Sequence, residues 1–289
     1  MQNAVNRLQA EGYALESRVS PEGVSGEQLA REIAQAGDTT TILAGGGDGT
    51  VNAVASGILS SGSAQSVALG VLPLGTANDF ARALGVFPDD LYAALKAVLD
   101  APAVPVDVGR TGERYFLNVA TAGFGSEITS STPPPLKKVF GSAAYLFTGL
   151  TRFLDLEPRS AVVSGPGFEW SGEFLAMAVG NAPFAGGGVA VCPDALLDDG
   201  LFDVSILPDM PADEKAGAFT DLLRDGVRGL QEHVVSYRSE SVRIETECAI
   251  QINLDGEPVE SAEAVFDCLP GRLRLHAPPG AEDLFKGQR

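Results

Sequence analysis

Cysteine, histidine and long apolar runs are scarce in this chain. Its 289 residues include only 3 cysteines and 2 histidines. Cys192, Cys248 and Cys268 lie far apart with no C-x-x-C spacing, which excludes a disulfide framework or zinc site and predicts small, buried, apolar side chains. No run approaches the roughly 18 apolar residues of a membrane-spanning helix, and no signal sequence opens the chain. We therefore expect a soluble, cytoplasmic protein.

Basic residues are also few. The chain has 20 Lys and Arg against 38 Asp and Glu, a net charge of −18. Nucleic acid would be repelled across most of such a surface, so we expect no nucleic-acid partner. Docking on an anionic membrane would need a local basic patch. An apolar fraction of 45% over this length predicts two globular domains.

Glycine, by contrast, is concentrated between Thr39 and Val54, in the stretch TTTILAGGGDGTVNAV. The run Thr40 to Ala44 predicts a buried strand, and apolar spacing from Val51 to Leu59 predicts a helix. The glycines between them remove Cβ atoms, so backbone N–H groups can converge on an anion at the positive end of the helix. The pattern favours a phosphate site over an ordinary tight turn.

Two common phosphate motifs fail on spelling. A dinucleotide fingerprint needs glycine at its sixth position, which is Thr50 when counted from Gly45. A P-loop ends in Gly-Lys-Ser/Thr, and this loop has no lysine. A Rossmann dehydrogenase is therefore the least favoured alternative.

The first part of the chain alternates helices and strands, which is typical of a parallel α/β sheet. We predict a helix over 1–11, a strand over 13–19, a helix from the cap Ser25 to Ala36, a strand over 67–72 and a helix over 89–101. The stretch LPLGTANDFAR, residues 72–82, follows the strand that ends at Leu72. Thr76 there is either a helix N-cap or a ligand contact. Because ligands bind at the carboxyl ends of open α/β sheets, this loop and the glycine loop should flank one crevice.

From Tyr115 onward short strands dominate, which predicts a β-sandwich beginning after residue 109. The predicted strands cover 116–122, 174–179, 201–207, 242–247, 250–254 and 272–276, with a helix between 213 and 230. Asp255-Gly256 is a strong turn signal. We predict that residues 135–154 form an amphipathic, locally basic helix that either packs in the core or touches a membrane.

Four blocks occur in a familiar order: GGGDGT, LPLGTANDFAR, the turn from Leu196 to Leu201, and LDGEP. Together they resemble the bacterial diacylglycerol kinases, including the YegS-like lipid kinases. The resemblance implies an α/β nucleotide-binding domain over 1–109, to which the tail 277–289 returns, and a β-sandwich domain over 110–276 that binds lipid and metal. Members normally open with a strand, whereas this chain opens on a helix.

The resemblance also implies roles for individual residues. The enzyme would move the γ-phosphoryl group of ATP to a hydroxyl of a glycerolipid, such as diacylglycerol or a phosphatidylglycerol-like lipid. Glu257 would be the general base, Asp48 the acid of the glycine loop, and Asp48 with Asp79 would steady a metal through water. Structural Mg²⁺ would bind at Leu196, Asp199 and Leu201. The implied nucleotide contacts are Ser20, Gly46, Gly47, Asp48, Gly49, Thr50, Val51, Asn52, Ala53, Thr76 and Asp79.

Two alternatives share this architecture. An NAD kinase has a similar glycine motif, but LPLGTANDFAR and LDGEP argue against it. A non-catalytic lipid-binding relative of the kinases would lack nucleotide binding, and the missing first strand motivates that alternative.

Overall fold

The computed structural model describes residues 1–87, 90–123, 153 and 155–286. The chain forms two compact units, one comprising 1–108, 196–200 and 269–289, the other 109–195 and 201–268. Residues 196–200 and 269–276 are predicted to lie in the second domain, whereas they group with the first unit. The reason is visible at the buried Asp107, whose carboxylate accepts the N–H groups of Gly200 and Gly271.

The first unit is α/β, as predicted. Its β1 (Thr41–Gly46) pairs in parallel with β2 (Ala68–Pro73). β2 in turn pairs in parallel with Arg274 and Leu275, near the end of the last strand, β13 (Glu257–His276). Every residue of β2 is buried, as expected for a strand covered on both faces. The helices of the unit are α1 (Gln2–Ala10), α2 (Gly26–Ala36), α3 (Asp48–Ser60), α4 (Asp79–Ala83) and α5 (Leu91–Asp100), and β3 (Ala103–Thr111) follows them.

The ends of α2 follow the sequence signals. The Ser25 hydroxyl accepts the N–H of Gln28 at 3.1 Å, and Gly37 closes the helix with φ of 80°. α2 packs closely on α3 because Gly57 lacks a side chain. A Cβ there would lie 2.3 Å from the carbonyl oxygen of Glu27.

The predicted strand Tyr13–Val19 does not form. The segment is irregular, and its N–H groups bond locally, from Tyr13 to the Leu8 carbonyl and from Leu15 to the Tyr13 carbonyl. Tyr13 and Leu15 pack on the cluster that holds Leu8, while Val19 is 88% exposed. The apolar side chains of this segment thus pack on the core, but its backbone does not pair with a neighbouring strand as a β-strand requires.

The second unit is predominantly β, again as predicted. Its strands are β4 (Arg114–Phe116), β5 (Val119–Gly123), β6 (Arg159–Gly165), β7 (Phe168–Gly180), β8 (Phe184–Ala185), β9 (Val189–Ala190), β10 (Phe202–Pro208), β11 (Val235–Ser239) and β12 (Ser241–Leu254), followed by the first part of β13. Helix α6 (Ala212–Asp225) continues into a 3-10 helix, Gly226–Leu230. The two strands predicted over 242–254 are one strand, β12, whose register with β13 shifts between Glu245 and Ile250.

Four strands of this unit close a ring of backbone pairing. β7 pairs with β6 through its first half and with β5 through its second half. β12 likewise pairs with β6 through Arg243–Thr246 and with β5 through Ile252–Leu254. The apolar core of the unit includes Phe116, whose ring stacks on Phe202 at 5.5 Å and meets Phe266 edge-on.

Two further expectations concern the burial of the cysteines and contact with a membrane. Cys192 and Cys268 are buried as predicted, but Cys248 is exposed because it lies where β12 departs from its register with β13. Apart from Phe153, which is buried against Phe219, the predicted helix 135–154 lies outside the described residues. Its membrane contact stays a prediction. None of the helices in the described ranges has the length and apolar character needed to cross a membrane.

Candidate active site

The glycine loop passes directly from β1 into α3. Gly46 ends the strand and Asp48 begins the helix, so Gly47 alone lies between them. The N–H groups of Thr50 and Val51 donate to the Gly47 carbonyl at 2.9 and 3.0 Å. A Cβ on Gly46 would lie 2.4 Å from the Cβ of Thr50, so no side chain fits there. Bare backbone at a helix N-terminus is the arrangement that binds phosphate groups.

The loop after β2 lies directly against the glycine loop. The N–H of Leu74 donates to the Gly46 carbonyl at 3.1 Å. A Cβ on Gly75 would lie 2.2 Å from the Cα of Gly47, so the two backbones touch where both loops leave their strands. The structure therefore brings the GGGDGT and LPLGTANDFAR motifs together within the first unit.

Asn78 fixes the shape of the second loop. Its φ is 53°, and its side chain accepts the N–H of Gly75 at 2.8 Å while donating to the Gly75 carbonyl at 3.0 Å. Asn78, rather than Thr76, is the N-cap residue of α4. The N-cap interpretation of Thr76 is therefore wrong, and its side chain is exposed at the tip of the loop.

Two acids begin the helices that follow these loops. Asp48 is the first residue of α3, and its Oδ1 accepts the N–H of Phe80 from α4 at 3.0 Å. Asp79 is the first residue of α4 and is only 4% exposed. A carboxylate at a helix N-terminus is stabilised by the helix dipole. Asp48 thus ties the two motifs together, a link that the sequence did not indicate.

The remaining predicted nucleotide residues differ in placement. Gly49 is partly exposed at the start of α3, but Val51 and Asn52 are buried, and Oδ1 of Asn52 accepts the Ser56 hydroxyl at 3.2 Å. Ala53 is half-buried, and a Cβ built on Gly26 would lie 3.7 Å from its side chain. Ser20 is exposed in the irregular segment before α2, so the strand end at which it was predicted does not exist.

Asp107, which is not among the predicted site residues, anchors the predicted metal turn. It is 2% exposed. Its Oδ2 accepts the N–H of Gly200 at 2.6 Å, and its Oδ1 accepts the N–H of Gly271 at 2.8 Å. Its own N–H donates to the Leu197 carbonyl at 2.6 Å. Two hydrogen bonds of Asp107 therefore hold the turn to β3, and a third joins Asp107 to Gly271 of β13.

Negative charge accumulates around that turn. Burial raises the pKa of Asp107, the N–H groups of Gly271 and Gly200 lower it, and the charges of Asp199 and Asp198 raise it further. In the sequence, the one sign that Asp107 is buried is its place as a single acid flanked by valines in an apolar run. A carboxylate so placed is buried with hydrogen-bond partners, or it is not buried at all.

The predicted Mg²⁺ ligands lie on this turn. Leu196 is buried, and Asp199 and Leu201 are partly exposed. The described ranges contain no group of three or more His, Cys, Asp or Glu side chains that could hold a metal ion. The predicted set does not need one, since it combines a single carboxylate with two backbone carbonyls. These oxygen donors, next to further carboxylates, fit a hard cation.

The LDGEP turn joins β12 to β13 in the second unit. Leu254 pairs with Glu257 across a turn in which Asp255 and Gly256 have φ of 49° and 101°. Two positive φ angles are the mark of a type I′ hairpin turn. The N–H of Gly256 donates to the side-chain oxygen of Asn253 at 2.7 Å. Glu257, the predicted base, is exposed at the first position of β13.

Asp255 does more than form the turn. It is 8% exposed, and its carboxylate accepts three successive backbone N–H groups. Leu117 donates at 2.6 Å, Asn118 at 3.0 Å and Val119 at 3.0 Å. The sequence predicts Asp255 only as a turn residue, because nothing local in the sequence reveals a partner so distant along the chain.

The fold and its two loops define the architecture of an α/β nucleotide-binding domain joined to a β-sandwich-like domain. Comparison with family models agrees. Residues 1–111 match the diacylglycerol kinase catalytic domain, and residues 118–277 match the YegS C-terminal NAD kinase beta sandwich-like domain.

Curated relatives are similar over nearly the whole chain. A probable lipid kinase YegS-like protein of Pseudomonas putida is 45% identical over 97% of this chain and 91% of its own length. One from Pseudomonas aeruginosa is 45% identical over 96% of this chain and 89% of its own. This chain therefore belongs to the family of bacterial diacylglycerol kinases and YegS-like lipid kinases.

Solved structures support the fold. A putative diacylglycerol kinase from Bacillus anthracis has a TM-score of 0.72 at 24% identity, covering 89% of this chain and 82% of that chain. A second one from the same organism has a TM-score of 0.72 at 22% identity, covering 96% and 90%.

Proposed function

We propose that this protein is an ATP-dependent lipid kinase that transfers the γ-phosphoryl group to a hydroxyl of a glycerolipid, diacylglycerol or a phosphatidylglycerol-like lipid. One observation carries the proposal. The glycine loop and the second loop touch through Gly47 and Gly75, so that two strand ends together present backbone without side chains. Such a surface suits a polyphosphate, whose oxygens accept hydrogen bonds from N–H groups.

Binding and orientation would rest on the first unit. The N–H groups and the positive dipole end at the start of α3 would face the phosphates, and the exposed hydroxyls of Thr50 and Thr76 would donate to phosphate oxygens. Val51, Asn52 and Ala53 would contribute backbone, because their side chains are at least partly buried. Ser20 stays a predicted nucleotide contact, and its exposed position in an irregular segment adds no support for that role.

Glu257 would take the proton from the acceptor hydroxyl. As the acceptor oxygen forms its bond to the γ-phosphorus, the bond from that phosphorus to the bridging oxygen breaks and ADP leaves. The released proton goes to the carboxylate of Glu257, which is exposed and therefore open to a substrate. Asp48 and Asp79, at the starts of α3 and α4, would steady a divalent cation at the phosphates through water.

Mg²⁺ would be held by the carboxylate of Asp199 and the carbonyls of Leu196 and Leu201. When bound, the ion supplies positive charge that offsets the local carboxylates. Asp107 would keep the turn in shape by holding the N–H of Gly200. We place this site in the structural class, since its oxygens belong to one tight turn.

The test is to incubate the purified protein and its Glu257→Gln variant with γ-labelled ATP and separate panels of diacylglycerol, phosphatidylglycerol, sphingosine and NAD⁺. We expect label in a glycerolipid with the wild-type protein and none with the variant. Label in NAD⁺ would support an NAD kinase instead. Lipid binding without any ATP binding would support a non-catalytic relative.

A further inference from the structure

We propose that Asp255 is a positioning residue that holds the turn carrying Glu257 on the chain segment leading into β5. The inference rests on the proposed function, in which Glu257 accepts the proton. Asp255 itself touches no reacting atom. It acts through the backbone two residues before the base.

The contact between Asp255 and this segment has the geometry of an anion-binding site. Three consecutive N–H groups, from Leu117 to Val119, point at one carboxylate at distances between 2.6 and 3.3 Å. Successive backbone N–H groups that converge in this way form a concave site for a negative charge. Bonds to an ionised acceptor are about twice as strong as neutral ones. Because Asp255 is 8% exposed, little water competes for them.

Three further contacts fix the same turn. The N–H of Asp255 donates to the Val119 carbonyl at 3.3 Å, and Asn253 accepts the N–H of Gly256 at 2.7 Å. Leu254 also pairs with Ala120 of β5. The backbone that ends at Glu257 therefore has little freedom to move away from β5.

An Asp-Gly hairpin turn can form without hydrogen bonds from its aspartate to a distant segment. Such a dipeptide forms a type I′ turn through its backbone preferences alone. Here the aspartate is buried instead of being exposed at the tip, and its partners lie 136 to 138 residues away along the chain. The extra bonds place the turn, and a base must be placed accurately, because a misplacement of roughly 1 Å can cost ~100-fold in rate.

The decisive variant is Asp255→Asn, which keeps the size but replaces one acceptor oxygen by an amide that faces an N–H group. We expect kcat for glycerolipid phosphorylation to fall by about 100-fold. KM for ATP should stay within about twofold of wild type, because the nucleotide loops belong to the other unit. Asp267→Asn, in β13 and bonded to Arg110 at the surface, is the matched control and should keep wild-type kcat.

The double variant Asp255→Asn/Glu257→Gln separates positioning from general damage. If Asp255 acts only through Glu257, the double variant should be no slower than Glu257→Gln alone, measured with excess enzyme. Any of three results would overturn the inference. The losses of the two single variants could multiply in the double variant, kcat could be unchanged in Asp255→Asn, or the change could be confined to KM. An active Glu257→Gln variant would instead remove the proposed base, whatever Asp255 does.

Should Asp255→Asn not fold, Asn253→Ala removes the bond to Gly256 and leaves the carboxylate in place. We expect a smaller fall in kcat that also disappears in the Glu257→Gln background. Hydrogen exchange at Leu117, Asn118 and Val119 provides a readout that does not depend on activity. These amides should exchange faster in Asp255→Asn, and unchanged exchange would contradict the proposed anchor.

Discussion

The backbones of Gly47 and Gly75 approach so closely that a Cβ on Gly75 would lie 2.2 Å from the Cα of Gly47. Real Cβ contacts are never this short, so either the backbone shifts or the two loops separate. The phosphate-binding surface proposed above requires both loops in place.

Gly75→Ala is therefore expected to weaken ATP binding. Isothermal titration calorimetry should give at least a tenfold weaker affinity, which corresponds to roughly 1.4 kcal/mol. The control is Gly217→Ala, in α6, where a Cβ meets nothing within 4 Å. That variant should bind ATP normally, and a wild-type affinity in Gly75→Ala would contradict the proposed surface.

Asp48 has two separable roles, as an acceptor for the N–H of Phe80 and as a negative charge. Asp48→Ala removes both and should lower the free energy of unfolding by about 1–2 kcal/mol. Asp48→Asn keeps an acceptor oxygen and should stay close to wild type in chemical denaturation. We expect both variants to lose kinase activity, and full activity in Asp48→Asn would show that the charge is not needed.

The predicted Mg²⁺ turn can be tested by thermal unfolding with and without the ion. Magnesium at 100 times its dissociation constant would stabilise the folded protein by about 2.7 kcal/mol. EDTA should therefore lower the Tm of wild type and of Asp198→Asn, but leave that of Asp199→Asn unchanged. Asp198 is the matched control, since its carboxylate accepts the N–H of Lys286 and is not a predicted ligand. An equal response in all three proteins would place the ion elsewhere.

The hydroxyl of Tyr237 is buried and has no hydrogen-bond partner within the described part of the chain. Burial raises the pKa of Tyr237 well above its ordinary value. Its ring stacks on Phe168 at 3.6 Å, a contact that phenylalanine would keep. Tyr237→Phe should therefore leave stability unchanged or raise it by about 1 kcal/mol. Tyr92→Phe, which loses a bond to Glu11 at 2.6 Å, should not be stabilising, and a large loss in Tyr237→Phe would reveal a missing partner.

The three thiols should differ in reactivity. Burial raises the pKa of Cys192, and both Cys192 and Cys268 are enclosed, whereas Cys248 is exposed. Titration of the native protein with a disulfide reagent should modify one thiol rapidly and the others only after denaturation. Cys248→Ser should remove the fast phase, and its persistence would contradict the described burial.

Local signals in the sequence predicted local structure well. Ser25 and Gly37 mark the ends of α2 because each acts on backbone groups a few residues away. The strand, glycine turn and helix around Gly46 are predicted for the same reason. Both motif loops were expected together because parallel strands end at one edge of a sheet.

The failures are non-local. Tyr13 to Val19 alternates like a strand, but a strand exists only where a neighbour pairs with it. Asn78 displaced Thr76 as the cap through its positive φ and its bonds to Gly75. Asp107 and Asp255 have partners more than 90 residues away in the sequence, so no window along the chain could reveal them.

The route of the chain between the units limits how the protein can be divided. Residues 196–200 belong to the first unit, while the chain on both sides of them belongs to the second. A fragment ending at residue 108 would keep Asp107 but lose Gly200 and Gly271. The Asp107 carboxylate, which is buried in the whole chain, would then lack the two N–H groups that donate to it. The fragment would also lose the β13 residues that flank β2. The first unit therefore cannot be cut out as one continuous piece of chain, and we expect a fragment of residues 1–108 not to fold stably on its own.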